Sequence, residues 1–318
     1  MAKPLRIAVV GAGRWGKNII DTLRTLPDCK IVYIEKRDYR RLVKKQGFDA
    51  VVVATPGSTH ARVALPFIKR GLLVFIEKPM TTSLKDAKML AEAAKKSGSL
   101  VFVGHIQLYN PAYVKTKELI KKIGTIRFIL GEGSNNGPYR DDMSAFWDHA
   151  PHDISMMLDI LGKMPKNVEA WGVSLLRPQS AIHDIAYAKL TFPNGIVGFI
   201  FNTWIFPEKR RRLVVVGKKS TVVFDHVAQK RVLFYENMGP LVKESAVIRK
   251  EPKISYPKYN TVAPLEAELR AFLEMVRTNK KPKTDVVEGL EVVRVLDAAE
   301  KSIRAGGKVI QIKKQGVV

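Results

Sequence analysis

The 318-residue chain has one cysteine, Cys29, a marked shortage of acidic residues and no long apolar run. A single cysteine excludes an internal disulfide and a multi-cysteine metal site, and no metal is expected. No segment approaches the roughly 18 apolar residues of a membrane-spanning helix. The opening Met1-Ala2-Lys3-Pro4 leads straight into a strand-like run rather than a secretory leader. These absences point to a soluble cytoplasmic protein with no membrane partner. No internal repeat is present. Nor does any recognition motif or aromatic–basic platform mark a nucleic-acid binder. The 54 Lys and Arg against 30 Asp and Glu give a formal charge of +24. Such a field attracts anions. The basic residues, however, are scattered from Lys3 to Lys314, as on a lysine-rich solvated surface.

Apolar residues make up 46% and charged residues 26%, which are globular values. The length suits about two domains. From Leu5 to Gly104 short apolar runs alternate with helical patterns. Strands are expected at Leu5–Val10, Ile31–Ile34, Ala50–Ala54, Leu72–Ile76 and Leu100–Val103. Helices are expected at Trp15–Leu26, Thr59–Arg70 and Ser83–Ser97, the last capped by Ser83 and stopped by Gly98. This alternation predicts a doubly wound parallel sheet covered by helices. After a helix at Pro111–Lys122 the rhythm changes to strands in succession. They lie near Ile126–Gly131, Val168–Val173, Ile185–Phe192, Ile196–Trp204, Arg212–Val216, Thr221–Phe224 and Arg231–Tyr235. Pro193-Asn194-Gly195 and Gly217-Lys218-Lys219-Ser220 read as turns between them. The stretch 237–259 reads as irregular. Helices Pro264–Thr278 and Val286–Arg304 end the pattern. The expectation is an α/β chain with a Rossmann domain at 1–110 and an α+β domain at 111–318 built on a large, mostly antiparallel open sheet.

Gly11-Ala12-Gly13-Arg14-Trp15-Gly16 follows the first strand and opens a helix. In a dinucleotide turn the first glycine allows the tight bend and the second lets the backbone approach the pyrophosphate. The third lets helix pack on strand. Free N–H groups and the helix dipole then face the phosphates. Glu35, at the end of the second strand, is placed to accept from the adenosine ribose hydroxyls, which favours NAD. Lys36 and Arg37, with Arg40 and Arg41 behind them, suit the extra phosphate of NADP and leave that cofactor open.

Two constellations could carry chemistry. Glu77-Lys78-Pro79 ends the fourth strand, and ligands of open α/β sheets gather at such carboxyl ends. A lysine there can hydrogen-bond or protonate a hydroxyl, and Pro79 could fix the turn as a cis peptide. In Trp147-Asp148-His149-Ala150-Pro151-His152-Asp153, Asp148 and His152 stand at i and i+4, on one helical face. Pro151 suggests a first helical turn beginning near Asp148. His152 has the intrinsic proton affinity to take a hydroxyl proton near neutrality, and Asp148 could orient it or bind a neighbouring hydroxyl. On composition alone a capping Asp and a packed His are the better fit.

Ordered along the chain, the glycine turn, Ala54-Thr55-Pro56-Gly57-Ser58-Thr59-His60, Glu77-Lys78-Pro79, Val103-Gly104-His105 through Tyr109-Asn110-Pro111, and Asp148-x-x-x-His152-Asp153 resemble the glucose–fructose oxidoreductase / inositol dehydrogenase / MocA-like family. The resemblance extends to Pro264-Leu265-Glu266-x-Glu268-Leu269 with Thr284-Asp285. It implies hydride exchange between NAD(P) and a CH–OH group of a sugar, cyclitol or sugar nucleotide. It also implies proton transfer by Lys78 and His152, with Asp148 as substrate ligand. Thr55, Pro56, His60, Glu77 and Lys78 would lie along the cofactor, and His105 and Tyr109 near the substrate. A homodimer or homotetramer paired through the open sheet is implied as well. In two respects the chain departs from the family pattern. Only residues 36–48 separate Glu35 from Asp49, and Gly57 stands where the family often has Asn. The segment Gly131–Arg140 reads as a loop over the substrate, where Tyr139 and Arg140 could meet a sugar or a phosphate. Two other readings stay open: a hydrolase of the same family that oxidises its sugar transiently, and a non-catalytic cofactor-binding regulator. Net cofactor reduction during turnover separates them from a dehydrogenase.

Overall fold

The computed structural model describes residues 3–36, 38–236, 241–243, 246–248 and 251–313. Contacts divide these into two units. The first holds the described residues up to Tyr109 together with Val262–Asp297, and the second holds Asn110–Thr261 with Ala298–Lys313. The contiguous boundary expected near residue 110 therefore misses that 262–297 returns to the first unit.

In the first unit the elements run β1 Leu5–Val10, α1 Arg14–Thr25, β2 Cys29–Glu35, α2 Tyr39–Lys44, β3 Ala50–Val53, α3 His60–Lys69, β4 Leu73–Glu77, α4 Leu84–Ser97 and β5 Val101–Gly104. The strands form one parallel sheet in the order β2-β1-β3-β4-β5. Strands covered on both faces need near-continuous apolar sequence, and β3, Ala-Val-Val-Val, is buried at every position. Ser83 caps α4 by accepting from the Asp86 N–H at 3.1 Å, and Gly98 ends it at φ 70°. α7, Pro264–Thr278, adds Leu269, Phe272 and Leu273 to this core. The Phe272 ring meets Phe75 of β4 edge-on at 5.4 Å and Phe102 of β5 at 5.8 Å. α8 spans Val286–Arg304.

The second unit contains α5 Pro111–Ile120, β6 Ile126–Asn136, α6 Ala145–Leu161, β7 Asn167–Val173, β8 Ile185–Thr191, β9 Val197–Thr203, β10 Ile205–Gly217, β11 Thr221–Asp225, β12 Val232–Glu236, β15 Lys253–Ser255 and β16 Ile310–Gln311. A separate antiparallel pair joins β13 Leu241–Lys243 to β14 Ala246–Ile248. The large sheet runs β15-β12-β11-β10-β6-β9-β8-β7-β16. Its pairs are antiparallel except β6 with β9, which lie parallel. Asn194 and Gly195 both take positive φ, 68° and 76°, as a tight hairpin requires.

Three expectations fail here for physical reasons. Residues 131–136 are strand, not loop. A Cβ on Gly131 would lie 2.8 Å from the Asp153 carboxyl, and one on Gly133 would lie 2.7 Å from Asn202 Nδ2 and 3.0 Å from His149 Cβ. These glycines make room against β6 for Asp153 and His149 of α6 and for Asn202, rather than turn the chain. Second, α6 starts at Ala145, where Ser144 Oγ accepts from the Trp147 N–H at 3.4 Å. Pro151 thus sits inside the helix rather than in its first turn, and Asp148 is not the N-cap. Third, part of the stretch 237–259 is ordered: β15 pairs with β12, and β13 with β14.

One face of the large sheet takes α6. The other presents Phe128, Trp171, Tyr187 and Phe199, each more than a third exposed. Phe128 meets Phe199 at 6.5 Å and Tyr187 stacks on Phe201 at 4.6 Å. The alternation of β8, and of β9 up to Asn202, puts Ala186, Ala188, Leu190, Gly198 and Ile200 inward and the aromatics outward.

Candidate active site

The glycine turn is shaped by its backbone. Gly11 sits at φ +102°, and a Cβ there would lie 2.5 Å from the Ala54 carbonyl oxygen. A Cβ on Gly16 would lie 2.2 Å from the Gly11 carbonyl oxygen, so α1 can start only where position 16 lacks a side chain. Gly13 is different: a Cβ there meets nothing within 4 Å, and it is the N-cap of α1 without a side-chain cap. Open space over an uncapped helix start is what a pyrophosphate needs, since the first-turn N–H groups have no partner inside the helix. The residues present fit NAD(P).

Around this cradle the first unit is tightly cross-linked. Trp15 Nε1 donates to Glu77 Oε1 at 2.6 Å, and the Lys78 N–H donates to Glu77 Oε2 at 3.0 Å. Burial pushes the Glu77 carboxyl up to about 6, against the opposing pull of Trp15, Lys78 and His105. Gly104 makes room for it: a Cβ there would lie 3.2 Å from the Glu77 carboxyl carbon. The Lys78–Pro79 peptide is cis, as the E-K-P turn suggested. Thr55 Oγ1 accepts from Thr59 Oγ1 at 2.8 Å, and the Thr59 hydroxyl also reaches the Pro56 carbonyl at 2.7 Å.

His60 is buried with Nε2 2.7 Å from the Thr55 carbonyl and Nδ1 2.9 Å from the Pro79 carbonyl. It braces the T-P stretch against the E-K-P turn, with both ring nitrogens committed. His105, expected near the substrate, is buried with Nδ1 2.7 Å from Glu288 of α8. Tyr109 stacks on Phe102 at 5.2 Å and shares a 3.0 Å hydrogen bond with Thr284 Oγ1; burial pushes its phenol up. At the ribose end Glu35 Oε1 accepts from the Asp38 N–H at 3.0 Å, Lys36 is exposed, and Arg41 pairs with Asp38 at 3.1 Å. Arg37 lies outside the described residues.

In the second unit Asp148 and His152 lie one turn apart on α6. An Asp148 oxygen stands 3.7 Å from Arg140 Nη1, and its other oxygen 3.7 Å from His149 Nδ1. Arg140 grips Asp142 with two 2.8 Å bonds, and Arg177 donates to the Arg140 carbonyl at 2.6 Å. The Arg140 guanidinium is thus already neutralised by carboxylates. Tyr139 is half exposed, and its hydroxyl donates to Asn136 Oδ1 at 2.7 Å. Behind His152, Asp153 is buried and accepts from Asn202 Nδ2 at 3.0 Å, and burial pushes it up to about 7. Arg211 fills the same layer, donating to the Ser134 carbonyl at 2.8 Å and to Asn135 Oδ1 at 2.7 Å.

Sequence reasoning gave no role to Glu268, Glu288 or Arg211. Glu268 was visible as a misfit: Leu265, Glu268, Leu269 and Phe272 follow helical spacing on one stripe, so a carboxyl sits among core side chains.

A parallel sheet ending in a glycine cradle, with a second unit built on an open antiparallel sheet, defines a two-domain dinucleotide-dependent oxidoreductase. Residues 33–105 match the Gfo/Idh/MocA oxidoreductase family's NAD-binding Rossmann fold, and residues 135–311 match its C-terminal alpha/beta domain. The chain belongs to that family and is an NAD(P)-dependent oxidoreductase. It is 26% identical over 340 residues to scyllo-inositol 2-dehydrogenase (NAD(+)) of Bacillus subtilis, covering 96% of each chain. It is 25% identical over 248 residues to UDP-N-acetylglucosamine 3-dehydrogenase of Acidithiobacillus ferrooxidans, covering 77% of this chain and 75% of that one. A crystal structure from Magnetospirillum magnetotacticum MS-1 superposes with a TM-score of 0.80 at 31% identity, covering 93% of this chain and 99% of that one. No helix among the described residues is long and apolar enough to cross a membrane.

Proposed function

We propose that the protein transfers a hydride between NAD(P) and a CH–OH group of a sugar, cyclitol or sugar nucleotide. The observation that carries this reading is a glycine cradle with Lys78 fixed at the end of β4, in a chain that also presents Asp148 and His152 on one helical face. The nicotinamide, when bound, supplies the hydride acceptor. In this reading Lys78 supplies a hydrogen-bond donor for a substrate hydroxyl, and the His152 imidazole is the single acceptor of the proton released as the C–H hydride leaves to the nicotinamide. Asp148 accepts from a neighbouring hydroxyl and fixes which carbinol is presented.

Glu35 makes NAD the preferred cofactor, because a 2′-phosphate would face its carboxylate. The commitment of Arg140 to Asp142 and Asp148 favours neutral polyols over phosphorylated substrates. A panel of inositols, aldoses and UDP-N-acetylglucosamine, each with NAD and NADP, tests this by absorbance of the reduced nicotinamide. Net reduction with one of these compounds is expected. Turnover without net reduction would point to the hydrolase chemistry instead, and clear NADP preference would overturn the role of Glu35.

The aromatic sheet face fits a second copy of the chain. Phe128, Trp171, Tyr187 and Phe199 form a patch of the kind that marks an interaction surface. Sedimentation should show a dimer or tetramer, and Tyr187→Asp with Phe199→Asp should release monomers. A monomeric wild-type protein would refute this assignment.

A further inference from the structure

Glu268 is fully buried on α7, and neither of its carboxyl oxygens has a hydrogen-bond partner among the described residues. Its place follows from the aromatic contact below it. Phe272 of α7 meets Phe75 of β4 at 5.4 Å. One helical turn before Phe272 is Glu268, and two residues beyond Phe75, on the same strand face, is Glu77. Two carboxyls therefore occupy one buried layer. Their surroundings are unequal. Glu77 accepts from Trp15 Nε1 and the Lys78 N–H, and has the Lys78 ammonium and His105 nearby. Glu268 has none of these. The other titratable groups around the pair are Tyr109, on whose phenol the Glu268 and Glu288 charges act, and Glu288, which holds His105.

Two like charges in such a layer cannot both persist, and the one without donors takes the proton. We propose that Glu268 is a positioning residue: it keeps the single proton of the buried pair, so that Glu77 remains the carboxylate that holds Trp15 of the glycine turn and the backbone of Lys78. Burial, reinforced by the Glu77 charge, pushes the Glu268 carboxyl well above the usual range. The sign of the stability effect follows. The unfolded chain releases this proton near pH 4.5 and the folded chain keeps it to higher pH, so Glu268 destabilises the fold progressively above that point.

The test is the pH dependence of thermal unfolding in Glu268→Gln, Glu77→Gln and the double variant. Glutamine is as polar as the neutral acid but cannot ionise. The Tm difference between Glu268→Gln and wild type should rise with pH from about 5 to about 8, by about 3 °C or more. In the Glu77→Gln background that rise should be smaller. The Trp15 indole N–H resonance, assigned with Trp15→Phe, should hold its position in Glu268→Gln at neutral pH and move in Glu77→Gln. A Tm difference flat with pH, an unchanged rise without Glu77, or a shifted Trp15 resonance in Glu268→Gln would each overturn the proposal. Its consequence for the cofactor rests on the dinucleotide reading of the glycine turn. NADH titration tests that reading separately, since failure to bind NADH would leave the thermal result intact.

Discussion

Lys78→Met and His152→Ala should each lower turnover by about a hundredfold or more, roughly 2.7 kcal/mol of barrier. Methionine matches the reach of lysine but carries neither charge nor proton, so what it removes is the interaction at Nζ. Alanine at 152 removes the imidazole from α6 and leaves the helix, whose start is fixed by Ser144 and whose end is fixed by Gly162 at φ 60°. Since His152 belongs to the second unit and the glycine cradle to the first, NADH affinity should change far less than turnover in His152→Ala. Steady-state rates and NADH titration on both variants check this. Near-normal rates in both would remove Lys78 and His152 from the chemistry.

The glycine turn yields the second large effect, and its three positions should fail differently. Gly11→Ala forces an L side chain into φ +102° and drives Cβ to 2.5 Å from the Ala54 backbone. The left-handed conformation alone costs about 1–2 kcal/mol, and the clash adds to it. Gly16→Ala puts Cβ 2.2 Å from the Gly11 carbonyl oxygen, which only a shift of α1 or of the turn can relieve. Both variants should lose Tm and NADH binding together. Gly13→Ala meets nothing in the protein, so its Tm should stay near wild type while NADH affinity drops about tenfold or more, because the methyl group takes the space of the pyrophosphate. Wild-type NADH affinity in Gly13→Ala would falsify the assignment of this turn to the cofactor.

Most of the first unit was legible because parallel strands leave a plain trace. β1, β3, β4 and β5 are apolar runs, and α4 is bracketed by a capping serine and a left-handed glycine. The return of α7 to that unit was not legible, since contiguity along the chain says nothing about which core Phe272 enters. In the second unit the strands that alternate were found, and β6 beyond Gly131 was not. Gly131, Gly133, Ser134 and Asn135 carry the composition of a turn, yet their smallness answers to the helix above them rather than to the path of the chain. The start of α6 was misjudged because Pro151 was read as a first-turn residue, whereas the true cap is Ser144.

Within the site, Lys78 directly follows β4, and Asp148 and His152 lie one turn apart inside α6 rather than at its start. His60, His105 and Tyr109 come from the same motifs but are turned into the protein by Thr55, Pro79, Glu288 and Thr284. One-dimensional spacing fixes the element a side chain leaves from, but its partner comes from elsewhere in the chain. Arg140 shows the same limit, since the acids that occupy it are a packing outcome rather than a motif.

The seating of α6 on Gly131 and Gly133 has a consequence for how such a protein can diversify. Where a helix rests on side chains, every change of volume beneath it moves it. Here the Asp153 carboxyl and His149 Cβ fill the space that side chains at positions 131 and 133 would take, so any larger residue there would displace the helix. The helix is buried along nearly its whole length, so its other faces offer little room to compensate. Sequence change at positions 131 and 133 is therefore the least free in this layer, and diversity has to enter elsewhere in the chain.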